Sequence, residues 1–410
     1  MKRSILDLDS ILIKKYKQYL LPSILTSLAL ALNEFADYMI ISNLLGEQAF
    51  ATANLAAPLC LGIAACYMLL GSGGSGCYSV FLGRWEKQKA GSVFRLSVYL
   101  AWIFGIVYMA VGFIFRDALT NILCPDRSLV TYFSEYYVTV LLTAPFIVAM
   151  LTTIWFLPPS GAPVIATVVN IVSNVVNIIM DFVYMKGLDL GIRGSVLATF
   201  TGYVVGMLVM LVLLKKHNVR IANSPVGSDA ATLFTKIFRL GASVALLQVC
   251  FAVRYSIGNQ LAIRYAGQDG IIAFPLCLQT FSIASIFILG TADAAQPILA
   301  MLNGQMDHQG EAQVLKRSLF FQVIFGLGLV GVLELFPGVL VSLYRITGPD
   351  TIAMAIKGVR IFALTYITRG VCIQFMRFFL VARKTRYALL ISLFDGLGVI
   401  PAGFILCEFF

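Results

Sequence analysis

The sequence predicts an all-α polytopic membrane protein, and three observations support that fold class. Of its 410 residues, 59% are hydrophobic and only 12% are charged, about half the charged fraction usual in soluble domains. The mean hydropathy is +0.89, and long apolar segments recur from end to end. So little charge cannot cover the surfaces of two or three soluble domains, which excludes soluble enzymes, disordered chains and nucleic-acid binders.

Eleven windows are long enough to cross a bilayer, which takes about 20 mostly apolar residues. We expect spans at 18–42, 50–82, 92–115, 130–156, 162–185, 192–214, 238–263, 271–300, 318–342, 355–381 and 387–409. The second and eighth windows are long enough to be tilted or bent. The glycine-rich run 71–76 inside the second window permits either close helix packing or a local break.

The basic residues set the predicted orientation. With the N-terminus in the cytoplasm, the cytoplasmic segments carry 20 of the 30 Lys and Arg residues and the outer segments carry 8. Cytoplasmic loops of membrane proteins carry this kind of excess. The net charge of +10 is therefore attributed to basic cytoplasmic loops and not to a nucleic-acid site. We predict a multi-pass protein of the bacterial cytoplasmic (inner) membrane with a cytoplasmic N-terminus.

No catalytic or metal-binding motif stands out. The eight cysteines form no C-x-x-C pair and lie mostly in apolar runs, so we expect small hydrophobes and neither a disulfide framework nor a zinc site. The first 19 residues are basic and polar and have no cleavage site, which is typical of a cytoplasmic lead-in. No phosphate loop and no nucleophile–base motif is present, so neither ATP coupling nor catalysis is expected.

The chain is predicted to have two related halves. Residues 1–214 form an N-terminal lobe of six helices, 215–237 a polar cytoplasmic linker, and 238–410 a C-terminal lobe. The shift in numbering that brings Gly46 onto Gly267 also brings Gly83 onto Gly304 and Ser97 onto Ser318. We call this shift the repeat offset. Two homologous bundles with a substrate cavity between them are a common transporter plan.

Polar side chains inside the spans are the candidate functional residues, because charge in a membrane is costly and usually functional. The first window holds Asn33, Glu34 and Asp37, and the residues at 33 and 37 share a helix face. The fifth window carries a stripe at positions i, i+4, i+7 and i+11, formed by Asn170, Asn174, Asn177 and Asp181. The stripe should face the protein interior or a water-filled cavity. Interhelical hydrogen bonding by Asn is the alternative, but a terminal carboxylate favours proton exchange.

The second half is polar without a stripe. Its windows contain Gln248, Arg254, Asn259, Gln279, Asp293, Gln296, Arg369, Gln374 and Asp395. Each of these can serve a cavity or can pair with a neighbouring polar group in a purely structural role.

Several short motifs occur in a characteristic order. Pro22 is followed by Asp37 within Phe-Ala-Asp, Asn177 and Asp181 lie in the fifth window, and Thr199 lies in the sixth. The eighth window ends with Gln296-Pro297 followed by Asn303-Gly304. In this order the chain resembles the multidrug and toxic compound extrusion (MATE) transporters over nearly its whole length.

That resemblance implies a function and a site. Asp37, Asp181, Asn177 and Thr199 would bind the coupling ion, H⁺ or Na⁺, and their position in the first lobe points toward the DinF-like branch. The NorM-like branch would carry acids in the spans where this chain has Arg254 and Arg369. We assign to the substrate cavity Asn33, Glu34, Asn170, Asn174, Gln248, Arg254, Asn259, Gln279 and Arg369.

The expected activity is export of cationic amphipathic compounds by a monomer through alternating access, with no cofactor beyond the coupling ion. A lipid-linked oligosaccharide flippase of the same superfamily is the alternative, and an intramembrane enzyme or receptor is a remote one. The family has twelve helices and this sequence supplies eleven windows. Either the last helix is missing or two shorter helices have merged in the count.

Overall fold

The computed structural model of the chain describes residues 5–227, 229–304, 306–346, 348–382 and 384–397, and in these residues it contains thirteen α-helices and no strand. In chain order the helices are α1 (Ile5–Leu45), α2 (Glu47–Leu55), α3 (Ala57–Gly83), α4 (Lys87–Ile114), α5 (Arg116–Leu123), α6 (Val130–Ile154), α7 (Pro163–Asp181), α8 (Ile192–Lys216), α9 (Ala230–Gly304), α10 (His308–Leu335), α11 (Pro337–Leu343), α12 (Pro349–Val381) and α13 (Thr385–Leu397).

Most of the predicted spans coincide with long apolar helices. In the described part of the chain, eight helical segments are long and apolar enough to cross a membrane. The longest, Val244–Gln296, has 53 residues and contains most of the seventh and eighth predicted windows. The first window lies in α1, which is helical but is not one of the eight. The eleventh window begins in α13 and runs beyond Leu397 into residues that are not described.

The long second window is bent before its glycine-rich run and not within it. Helix α2 ends at Leu55 and α3 begins at Ala57, with proline in its first turn. The run 71–76 is continuous helix inside α3, and its glycines allow close packing. A Cβ added at Gly73 would overlap the carbonyl oxygen of Ile237, and one at Gly71 would lie 2.6 Å from the Trp155 ring.

Helix boundaries recur along the chain at the repeat offset. Helices α3 and α9 end at positions 83 and 304, α4 and α10 begin at 87 and 308, and α5 and α11 begin at 116 and 337. Backbone conformations repeat as well, because Trp85 and Met306 both have positive φ angles, 62° and 57°. Ser97 and Ser318 are both fully buried. The two halves therefore share one helical register.

Two glycines at equivalent positions, Gly46 and Gly267, mark breaks in the helices. Gly46 has φ 89° and ψ 179°, and Gly267 has φ 60° and ψ −143° inside α9. This region of backbone space is open almost only to glycine. A Cβ added at either residue would meet nothing within 4 Å. A larger residue at either position would therefore cost free energy only through the strained backbone conformation, and not through a steric clash.

Alanine at either break should destabilise the protein without causing a clash. We expect Gly46→Ala and Gly267→Ala each to lower the free energy of unfolding by about 1–3 kcal/mol. The measurement is the thermal midpoint of the protein purified in detergent. Gly331→Ala is the control, because Gly331 lies inside α10 with nothing within 4 Å of an added Cβ. An equal loss in the control would contradict the backbone explanation.

The chain divides into two compact units. One is Ile40–Leu261, and the other joins Met1–Met39 to Ala262–Phe410. In the first unit a buried cluster joins α6, α7 and α8 through residues that include Ile154, Val169 and Met210. In the second unit one cluster joins α1, α9 and α10, and another joins α9, α10, α11 and α12. The predicted lobes at 1–214 and 238–410 are based on the sequence repeat and have other boundaries than these two units. They stay a prediction.

Candidate functional site

Helix α7, which carries the polar stripe, packs closely against α8. A Cβ added at Gly202 of α8 would lie 2.5 Å from the carbonyl oxygen of Ser173 on α7, and one at Gly206 would overlap the Ser173 hydroxyl. Small residues at such positions let two helix backbones approach closely. The sequence therefore places a polar face of α7 directly against α8.

The polar stripe of α7 is graded in its exposure. Asn170 is exposed and Asn174 is half-buried, whereas Asn177 and Asp181 are buried, with 5% and 1% of their surface exposed. Elsewhere on the helix, apolar side chains such as Val175 and Ile179 are exposed. The stripe thus leads from an accessible end to an enclosed carboxylate.

A short hydrogen-bond chain lies beside that carboxylate. The Asn177 amide donates to the Thr199 hydroxyl at 3.2 Å, and the Thr199 hydroxyl donates to the Ser195 carbonyl oxygen at 3.2 Å. Asp181 lies one turn beyond Asn177 on the same face. Three of the four predicted coupling residues, Asn177, Asp181 and Thr199, therefore belong to one α7–α8 cluster.

Asp181 also occupies a change of helix type. It is the last residue of α7, and the following segment Phe182–Gly187 is a π-helix. Single π-helical turns are rare and are often found at functional sites. A proton or a small cation that binds a carboxylate at so buried a position neutralises its charge and lowers the cost of its burial, which makes this residue chemically suited to bind either one.

The acidic pair of the first window lies in the other unit. Glu34 accepts a hydrogen bond from Ser282, and Phe35 packs edge-on against the buried Tyr344 ring with the centroids 5.6 Å apart. Asp37 is half-buried and follows Phe35 by two positions. The fourth predicted coupling residue thus belongs to the unit formed by Met1–Met39 and Ala262–Phe410.

The remaining cavity candidates divide between the units. In Ile40–Leu261, the Gln248 amide donates to the Met68 sulfur at 3.1 Å, the Arg254 guanidinium lies 5.0 Å from the Phe251 ring centroid, and the Asn259 amide donates to the Asn54 carbonyl oxygen at 3.5 Å. In the other unit Gln279 is buried and lies 3.5 Å from the Ser282 hydroxyl. Their assignment to a substrate cavity stays a prediction.

The predicted motif residues lie on two helices. Pro22 and Asn33 belong to α1, and Gln296, Pro297, Asn303 and Gly304 form the end of α9. Among the residues that the structure describes, no three His, Cys, Asp or Glu side chains gather into a possible metal site.

Sequence reasoning named Arg369 and Asp395 separately but did not predict that they meet, or that Phe281 lies beside them. The Arg369 guanidinium carbon lies 3.5 Å from the Phe281 ring centroid, and its Nε lies 3.5 Å from Asp395. The three side chains join α9, α12 and α13, which are far apart in sequence. One signal was available, because the repeat offset brings Asn174 of the α7 stripe onto Asp395.

The family model of MatE matches the chain twice, over residues 22–183 and 243–405. The chain belongs to the MatE family. The starts of the two matches, at positions 22 and 243, are separated by the same repeat offset as the landmark residues and the helix boundaries. The relatives in this family are transporters and not enzymes, so the chain is a multi-pass membrane transporter.

Curated relatives are similar over most of their length. The multidrug export protein MepA of Staphylococcus aureus (strain MSSA476) is 23% identical over 341 residues, which is 82% of this chain and 74% of that protein. The protein of the same name from Staphylococcus saprophyticus is 22% identical over 345 residues, with the same coverage.

Solved structures confirm the fold class of two helical bundles. An inward-facing multidrug resistance MATE family transporter of the MOP superfamily has a TM-score of 0.81 at 21% identity and covers 90% of this chain and 84% of its own. A MOP superfamily transporter from Pyrococcus furiosus has a TM-score of 0.77 at 20% identity, with 97% and 88% covered. A point mutant of the Vibrio cholerae MATE transporter VcmN has a TM-score of 0.75 at 18% identity, with 98% and 92% covered.

Proposed function

We propose that this chain exports cationic, amphipathic small molecules from a bacterial cell by antiport against H⁺ or Na⁺. Membership of the MatE family and similarity to proteins named as multidrug exporters support export as the activity. The observation that carries the coupling mechanism is the buried Asp181, next to the Asn177–Thr199 hydrogen bond. The protein is proposed to work as a monomer in the inner membrane with its N-terminus in the cytoplasm.

Coupling would act through two carboxylates. A proton or Na⁺ that binds Asp37 or Asp181 removes their net negative charge and changes the hydrogen bonds of Asn177 and Thr199. This lowers the affinity for a cationic substrate, which is thermodynamic coupling between two ligands of one protein. The membrane potential contributes about 2.3 kcal/mol per elementary charge per 100 mV. The DinF-like assignment and the choice between H⁺ and Na⁺ remain part of this proposal.

The first test is the role of Asp37. We expect Asp37→Asn to lower ethidium efflux from pump-deficient cells by about 5- to 150-fold, the usual range of coupling between two ligands. Efflux is followed by fluorescence at matched protein levels. If a protonophore stops efflux by the unmutated protein, the coupling ion is H⁺. If replacement of Na⁺ by K⁺ stops it, the coupling ion is Na⁺.

The matched control is Asp117→Asn, because Asp117 is an exposed acid in α5 and has no assigned role. It should extrude dye like the unmutated protein. Equal efflux from the variants at 37 and 117 would rule out the coupling role of Asp37. If cells with the unmutated protein retain the dye as vector controls do, the export proposal itself is wrong for this substrate class.

A further inference from the structure

The strongest feature that the proposed coupling mechanism does not use is a partly enclosed arginine in the unit formed by Met1–Met39 and Ala262–Phe410; we call Arg369, Phe281 and Asp395 the cage. The Arg369 guanidinium carbon lies 3.5 Å from the centroid of the Phe281 ring, and Arg369 Nε lies 3.5 Å from Asp395 Oδ1. Only 16% of the arginine side chain and 22% of the aspartate side chain are exposed. A positive charge therefore lies between an aromatic face and a carboxylate, with little access to solvent.

The depth of this cage in the helix is unusual for a charge. Arg369 precedes the end of α12 at Val381 by twelve residues, which is about 18 Å along a helix axis. A second pair on the same helix, Arg377–Asp293 at 3.1 Å, lies nearer that end and is more exposed, at 29% and 42%. The second pair can be solvated near a membrane surface, whereas the first is more enclosed by protein.

The exposed part of the cage must face water or a polar recess. Charged side chains within membrane spans almost always face the bundle interior or a water-filled cavity, since contact with lipid is too costly. Phe281 is half-buried and packs against the buried Tyr366 ring at 6.0 Å. One side of the cage is thus closed by aromatic packing, and the other is accessible.

The register of the repeat supports a ligand-facing position for the acid. The repeat offset brings Asn174 onto Asp395, and it brings the start of α7 next to the start of α13. Of the four positions of the α7 stripe, only that of Asn174 is polar in the second half, where Asp395 replaces the amide with a carboxylate.

We propose that Phe281 and Asp395 form a binding site for the cationic group of a substrate, and that Arg369 occupies this site when no substrate is bound. An aromatic face and a carboxylate are the chemistry that attracts an organic cation in a desolvated place. The long arginine stem allows the guanidinium to leave while the helix stays in position. Arg369 thus competes with the substrate for this site, and a cation must bind the site tightly enough to displace the guanidinium. The inference rests on the proposed export of cations.

The test is equilibrium binding of tetraphenylphosphonium to the full chain purified in detergent, with no ion gradient. We expect Arg369→Gln to tighten binding by about 2- to 30-fold, the range that one cation–π contact spans. Phe281→Leu should weaken binding by a similar factor. Asp395→Asn combined with Arg369→Gln should lose the gain of the single arginine variant.

Two controls separate this effect from general disruption. Arg377→Gln removes the other ion pair of α12 and should leave tetraphenylphosphonium binding unchanged. A neutral dye, N-phenylnaphthylamine, should bind the unmutated protein and Arg369→Gln equally, because it does not compete with a cation. Thermal midpoints of all variants show whether each one is folded.

The outcomes are distinct. If Arg369→Gln binds the cation no more tightly than Arg377→Gln does, the pair is structural and the inference is wrong, while the export proposal stands. If the neutral dye gains as much affinity as the cation, the substitution has only opened space, and the inference is again wrong. If the unmutated protein binds no cation at all, both proposals are wrong.

Discussion

Asp181→Asn should strongly reduce efflux while leaving the protein folded. The carboxylate is 1% exposed at the end of α7 and adjoins the Asn177–Thr199 hydrogen bond. Asparagine has nearly the same volume but cannot take up a proton or balance a cation. We expect a loss of about 5- to 150-fold in ethidium efflux, because the variant removes the coupling and not the fold. The substitution should not lower the free energy of unfolding, since it removes a buried charge.

The control for this prediction is close in sequence. Asp189→Asn removes an exposed acid eight residues further on, and it should leave efflux unchanged. Both variants are compared at equal expression and with equal thermal midpoints in detergent. Full efflux by Asp181→Asn would contradict the assignment of Asp181 as a coupling residue and would favour a purely structural role for the polar stripe.

Gly241→Leu should separate two helices that touch through their backbones. A Cβ added at Gly241 of α9 would overlap the Leu69 carbonyl oxygen of α3, and one at Gly73 of α3 would overlap the Ile237 carbonyl oxygen of α9. These atoms belong to helix backbones and cannot rotate away as a side chain can. Overpacking of a core costs about 1–3 kcal/mol even when side chains can yield, so we expect at least that loss here.

The measurement is the thermal midpoint in detergent, together with the yield of monodisperse protein. Gly76→Leu is the control on the same helix as Gly73, since an added Cβ there has only an ordinary contact of 3.6 Å with Leu240. A midpoint for Gly241→Leu as high as that of Gly76→Leu would show that α3 and α9 can move apart freely.

The fold class and the repeat could be predicted from the sequence because both depend on short-range patterns. Apolar length predicts a helix across a bilayer without knowledge of its neighbours, and a few landmarks such as Gly46 and Gly267 were enough to suggest a common register. The bend in the second window was harder to place. Proline near the start of α3 marks it, whereas the glycines at 71–76 allow close packing without breaking the helix.

The candidate site could be predicted only where one helix carries it. The stripe from Asn170 to Asp181 follows from helical periodicity, and Thr199 was implied by the family resemblance. The cage around Arg369 could not be found in this way, because its three side chains lie on three helices and belong together only after packing. The place of Arg369 within a predicted span suggested a polar partner, but it did not indicate that Phe281 and Asp395 would both contact the guanidinium.

The shared register of the two halves has a consequence for how such a protein can change over generations. A duplicated and fused half keeps its helix ends, its glycine breaks and its buried serines, while the charges at matching positions diverge. Asn33 corresponds to Arg254, and Asn174 corresponds to Asp395. Substitution of these few side chains can leave one half to bind the coupling ion and the other half to bind the substrate. The helices of both halves then keep the same boundaries.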